Sequence, residues 1–144
     1  MNDLWIFLRS LVLQMIKKPM IYVAGPITVG PHPLNIRNGI DVGKTLRELG
    51  MIPFIPMVDF LYMVVYPHTT WEENLDYDEQ IILRCDALLR IPGESKGADR
   101  EVEFARSNGI PVFFDIASLH EWTQLNAQKV NTDCGRIGCL CSGR

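Results

Sequence analysis

A basic stripe, a membrane-length apolar run, a glycine-rich phosphate loop and a disulfide framework are all missing from this chain. Its 144 residues carry 14 Lys+Arg against 17 Asp+Glu, a formal net charge of −3. Clustered positive charge is what grips a phosphate backbone without regard to sequence, so a nucleic-acid polymer is not an expected partner. The four cysteines are Cys85, inside the domain, and Cys134, Cys139 and Cys141, crowded near the end. That distribution does not lay out paired bridges, and no secretory leader is legible, so thiols in a reducing cytoplasm are expected. The spacing C-x4-C-x-C is not a usual zinc pattern, and a fourth ligand would have to come from His120 or Asp133 with no pattern to support it. No metal is expected.

The most apolar stretch, 4–16, is too short to span a bilayer. It is broken by Arg9, Ser10 and Gln14 and followed by Lys17-Lys18-Pro19, where a signal peptide would have small residues. It reads as an extra amphipathic helix that packs on the domain or on a partner subunit, and membrane association is not expected. The loop after the first apolar segment runs Gly25-Pro26-Ile27-Thr28-Val29-Gly30. It lacks both the Gly-x-Gly-x-x-Gly fingerprint and the P-loop pattern, which removes dinucleotides and nucleoside triphosphates from the expected ligands.

What is present is a regular alternation of short apolar runs with amphipathic stretches, the mark of α/β architecture. Segments 20–24 (MIYVA), 52–55 (IPFI), 87–91 (ALLRI) and 111–114 (PVFF) read as buried parallel strands. Stretches 34–49, 72–85 and 96–107 read as crossover helices. Their apolar faces are Ile36, Ile40, Leu46 and Leu49; then Leu75, Ile81, Ile82 and Cys85; then Ala98, Val102 and Ala105. Gly50 and Gly109 stand where helices should stop, and 116–127 reads as a closing helix. The expected fold is a Rossmann-like, flavodoxin-like parallel sheet of four to five strands with helices on both faces. The extra helix occupies 1–19, the domain 20–128 and a flexible, cysteine-containing tail 129–144.

In such a sheet the ligand sits beyond the carboxyl ends of the strands, which singles out the loops 25–33, 56–71 and 92–101 and the stretch from Asp115 onward. The third of these reads GESKGADREVEFA. With Ala98, Val102 and Ala105 facing the sheet, Glu103 points away and Glu101 lies beside that face, as an acid whose pKa the helix start would keep low. A carboxylate there is able to act as nucleophile or base, and is equally at home as a helix-start residue complementing the dipole. In the second loop Phe60, Tyr62, Tyr66 and Trp71 offer flat faces for stacking, Asp59 a polar edge, and His68 an exposed ring without an assigned role.

These residues carry a resemblance. The run IYVAGPI, the acidic stretch DYDEQIILRCDALL and the pattern S-x-G-x-x-x-E-x-x-x-A, filled by Ser95, Gly97, Glu101 and Ala105 and followed by GIPV, resemble the nucleoside 2-deoxyribosyltransferase-like family over about 20–122. That family includes deoxyribosyltransferases and nucleotide N-glycosidases. The resemblance implies Glu101 as the nucleophile at the anomeric carbon, Asp78 as the acid that assists the departing base, and Tyr22 as the hydroxyl that orients Glu101. Read from the residues alone, Asp78 is equally a member of the solvated acidic run Glu72, Glu73, Asp76, Asp78 and Glu79.

The substrate is implied to be a nucleoside or nucleoside 5′-monophosphate near Gly25, Pro26, Thr28, Asp59, Trp71, Ser95, Lys96 and Gly97, with no cofactor. The Ser-x-Arg-Gly-Gly loop of monophosphate-specific members is absent, which leaves Ser95, Lys96 and the Gly97 amide, assisted by Thr28 or Arg37, to receive any phosphate. For the asparagine that transferases lend to a neighbouring subunit, the chain offers Asn126 or Asn131 without a good match. A homo-oligomer is expected, and hydrolysis stands level with transfer. The other reading is a binding module of this fold that recognises a nucleotide without turnover.

Overall fold

The computed structural model describes residues 17–137, together with Leu4 and Leu8; for Phe60 and 128–137 it describes the backbone alone. The proposed N-terminal helix and the end of the tail fall largely outside these residues. The elements in order are β1 (Met20–Ala24), α1 (His32–Glu48), β2 (Ile52–Phe54), a 3-10 turn (Pro56–Asp59), the short α2 (Phe60–Val65) and α3 (Trp71–Ile82). Then follow β3 (Ala87–Arg90), α4 (Lys96–Ser107), β4 (Val112–Phe113) and α5 (Ile116–Ile137). The strands form one parallel sheet in the order β2-β1-β3-β4. The α/β, Rossmann-like class expected from the sequence is the fold observed.

Alternation along the strands sorts the core into two layers. Ile21, Val23, Ala87 and Leu89 face one side with Leu46 of α1 and Leu119 of α5. Tyr22, Ala24 and Leu88 face the other with Ile82, which ends α3, and Ala98, Val102 and Ala105 of α4. The chain leaves β1 toward β2 and later returns to β3 on β1's other flank. The crevice between the carboxyl ends of β1 and β3 is therefore the sheet's topological switch point.

The boundaries differ from the sequence reading in ways that have physical reasons. The first strand is as expected, and the other three are shorter by one or two residues, because the ladders stop where the chain turns toward its loops. The first helix begins at His32, two residues early, since Pro33 fits a first helical turn where no amide bond is lost. The third helix ends at Ile82, and Cys85 is buried just beyond it. Gly50 and Gly109 do take positive φ, 84° and 72°, where the two helices stop. The last helix runs on to Ile137, through the first half of the stretch read as a tail.

The buried face of α1 needs a correction. Ile40, expected inward, is 47% exposed, while Gly39 and Gly43 are buried beside Leu46. A Cβ on Gly39 would lie 2.9 Å from Met57 Sδ, and one on Gly43 2.3 Å from Ile55 Cδ1. The helix thus lies close against the strand-end residues Ile55 and Met57 through its glycines, which turns Ile40 outward. Asn35, one turn into the helix, donates from Nδ2 to the carbonyls of Ile27 (3.1 Å) and Val29 (2.8 Å) and holds the loop after β1 in place.

The two isoleucine and leucine positions separate cleanly in energy. Leu46→Ala should cost about 2–5 kcal/mol in urea unfolding, because the cavity opens inside the sheet-facing layer. Ile40→Ala should stay within about 0.5 kcal/mol of the parent.

Candidate active site

A cavity of about 810 Å³ opens at the switch point, within the range of small-molecule sites. Its wall takes Gly25 and Thr28 from the loop after β1, Asp59, Tyr62 and Trp71 from the second loop and its flanks, Asp78 from α3, and Ser95 to Ala98 with Glu101 from α4. Local sequence sets each contributor. Thr70 caps α3 in a reciprocal box with Glu73, its side chain accepting from the Glu73 amide at 3.1 Å while Glu73 accepts from the Thr70 amide at 2.8 Å. Ser95 caps α4 by accepting from the Ala98 amide at 3.1 Å. Two helix starts are thereby fixed on opposite sides of the cavity.

At its base lies a buried pair. Tyr22 Oη donates to Glu101 Oε1 at 3.0 Å. Tyr22 is fully buried and stacked on Phe54 with ring centroids 5.6 Å apart, and Glu101 is 7% exposed. Asp78 lines the same cavity, and its charge acts on both Tyr22 and Glu101.

The electrostatics agree with one proton on the carboxyl pair near neutrality. Burial, and then the charge of Asp78, push the Glu101 carboxyl up to about 8, against the Tyr22 hydrogen bond and the Arg90 charge, which pull it down. Burial, with a contribution from Asp59, pushes Asp78 up to about 6, against the Tyr22 bond. Tyr22 is raised well above its ordinary value by burial and by both carboxylates. Because the two carboxyls interact, these values belong to the pair.

This overturns one expectation: the helix start does not keep Glu101 low. Glu101 is the sixth residue of α4, beyond the first turn, where Asp99 stands and Ser95 already satisfies an amide. Loss of water therefore outweighs the dipole at Glu101.

The other sequence candidates divide by position. Gly25, Thr28, Asp59, Trp71, Ser95, Lys96 and Gly97 all reach the wall. Pro26 does not, for it is buried beneath Gly93, whose added Cβ would lie 2.7 Å from Pro26 Cγ. Burial raises the Asp59 carboxyl. Trp71 is half exposed, with the Arg100 guanidinium 5.6 Å from its ring centroid and Arg100 itself 3.5 Å from Glu79. Arg37 lies outside the wall and pairs with Asp41 at 3.8 Å. Tyr66 and His68 are exposed and outside the wall, as is half-buried Asn126. The side chains of Phe60 and Asn131 lie outside the described residues.

Sequence reasoning passed over Glu73, Asn74, Tyr77 and Glu94, which also line the cavity. Spacing on α3 would have found three of them, since 74, 77 and 78 share one helical side and Glu73 follows from the capping box. With these included, the wall carries Asp59, Glu73, Asp78, Glu94 and Glu101 against Lys96. Among the described residues no group of three His, Cys, Asp or Glu side chains is arranged to hold a metal ion.

Residues 19–114 match a family model described as a domain of unknown function, DUF4406. The chain belongs to this family. The match begins one residue before β1 and ends one residue after β4, so the DUF4406 domain holds Tyr22, Asp78 and Glu101 and leaves out α5. None of the curated proteins matches the chain. Among the described residues no helix is long and apolar enough to cross a membrane.

The raised Glu101 value fixes a sign for stability. A carboxyl whose folded value lies above its ordinary one stabilises the fold in full below about 4.5 and loses that contribution as pH rises through about 8. The unfolding midpoint of Glu101→Gln minus that of the parent should therefore grow between pH 4.5 and 8 and level off above. A difference that stays flat across that range would show Glu101 to be solvated.

Proposed function

We propose that this chain cleaves the N-glycosidic bond of a nucleoside or nucleoside 5′-monophosphate, with a 2′-deoxy sugar favoured, and that Glu101 is the nucleophile. The observation that carries the reading is the buried hydrogen bond from Tyr22 to Glu101 at a small-molecule cavity that Asp78 also lines. A carboxylate aimed by a phenol, beside a second carboxyl with which it shares one proton, is the pair that retaining glycoside chemistry requires. The DUF4406 family is related to nucleoside 2-deoxyribosyltransferase-like proteins, and the match covers all three residues.

In the first step a Glu101 oxygen bonds the anomeric carbon, and the bond to the base breaks with its electron pair going to the base nitrogen. Asp78 gives that departing base a proton. In the second step water attacks the same carbon, Asp78 takes a water proton, and the ester bond breaks to restore the Glu101 carboxylate. A second nucleobase in place of water makes the reaction a transfer. Thr28, Ser95, Lys96 and Gly97 lie where the sugar's 5′ end would be received, and Asp59 and Trp71 where the base would lie. No cofactor enters, and the protein is read as a cytoplasmic homo-oligomer.

Chromatography for free base after incubation with ribo- and deoxyribonucleosides and their 5′-monophosphates tests this directly. The parent should release base, Glu101→Ala should lose at least about 1,000-fold, and Tyr22→Phe about 100-fold. If the parent releases none, even with a second base supplied as acceptor, the reading fails and the fold is a binding module.

The pH profile of kcat/KM gives a second check. One proton on the pair, present between about 6 and about 8, is the competent state. The profile should be bell-shaped with limbs near those values, and Asp78→Asn should remove the alkaline limb along with most of the rate.

A further inference from the structure

Arg90 ends β3 as a charged residue in an otherwise apolar strand, and it is only 8% exposed. A buried guanidinium needs acceptors for its donors. Nε and Nη2 donate to Asp99 Oδ1 at 3.2 and 2.9 Å, Nη2 also to the Gly93 carbonyl at 2.8 Å, and Nη1 to the Ile91 carbonyl. These acceptors lie in two segments whose neighbouring residues form the wall, the loop leaving β3, which carries Glu94 and Ser95, and the first turn of α4, which carries Lys96 to Ala98.

That loop is packed in turn against the loop after β1. Gly93 lies against Pro26, and a Cβ on Gly25 would fall 2.4 Å from Ile91 Cγ1. Arg90 does not line the cavity. It ties together, from behind, the segments that do. Four groups act on Glu101 or its partners from the packed elements: Tyr22 from β1, Asp78 from α3, Arg90 from β3, and Asp59, which acts on Asp78. Arg90 is the cation among them.

We propose, on the glycosidase reading of the site, that Arg90 is a positioning residue for Glu101. Its fork fixes the 91–93 loop to the first turn of α4, and its buried charge favours the ionised carboxylate that must attack the sugar. Lysine would keep the charge and lose the fork, and glutamine would lose the charge.

The test is a carbon-13 NMR titration of the Glu101 carboxyl, assigned by its loss in Glu101→Gln, in the parent, Arg90→Lys and Arg90→Gln. Amide exchange over 93–98 is measured in the same samples. Both variants should speed exchange in that segment. Arg90→Gln should raise the Glu101 midpoint by on the order of one pH unit, a tenfold change in proton affinity, while Arg90→Lys stays near the parent. The limb of the kcat profile near about 8, where Glu101 stands, should follow the same order, with KM little changed.

Equal midpoints in the two variants would overturn the proposal. Should Arg90→Gln not fold, the parent still decides: the Arg90 Nε resonance should shift with the Glu101 midpoint and lose that shift in Glu101→Gln, and a flat resonance overturns the proposal. A titration that obeys Arg90 in a protein releasing no base would sink the glycosidase reading alone. One indifferent to Arg90 in a protein that does release base would sink this proposal alone.

Discussion

Between β1 and α4 one hydrogen bond, from Tyr22 to Glu101, is made where neither group has water to turn to. In solvent it would contribute little, because both groups would be served equally well by water. Here the unmade bond would leave an acid and a phenol stranded in the core, so the position of α4 on the sheet is tied to that contact. Strand alternation sends Tyr22 to the face that α4 covers, and helical periodicity brings Glu101 to the same face beside Ala98, Val102 and Ala105. The polar pair replaces what would otherwise be one more apolar contact in that layer.

The class of fold was legible because its signals are local. Apolar runs of four or five residues, amphipathic stretches of a dozen, and Gly50 and Gly109 at the helix ends each report on a few neighbouring residues. The rotation of α1 was not, since it depends on how closely Gly39 and Gly43 approach Ile55 and Met57, and a periodicity count gives glycine no face. For the site, the loop positions and the family resemblance together brought about half of the wall to light, because everything at the carboxyl ends of β1 and β3 converges. The charge state of Glu101 was misjudged for the opposite reason. Helix position is written in the sequence, whereas burial is the work of several segments at once.

Arg90 illustrates the same divide. In the run ALLRI it reads as a polar interruption of a strand, and nothing local says that Asp99, nine residues later, returns to meet it. Once the chain is folded, its side chain is shielded while that of Asp99 is 68% exposed. The pair is therefore open to water from the Asp99 end only. An acidic wall with a single lysine on it leans on a cation placed behind it.

The floor and the rim of the cavity differ in how much change they admit. Around Gly25 the side chains of Ile91 and Met57 close to 2.4 and 2.5 Å of where a methyl would stand, so this part of the wall has no spare volume. Tyr62, Trp71 and Tyr77 on the far side are half open to solvent and lie on helices with freer surroundings. Descendants of this chain that took up a different ligand would thus be rebuilt at those aromatic positions, over a foundation that has to be inherited unchanged.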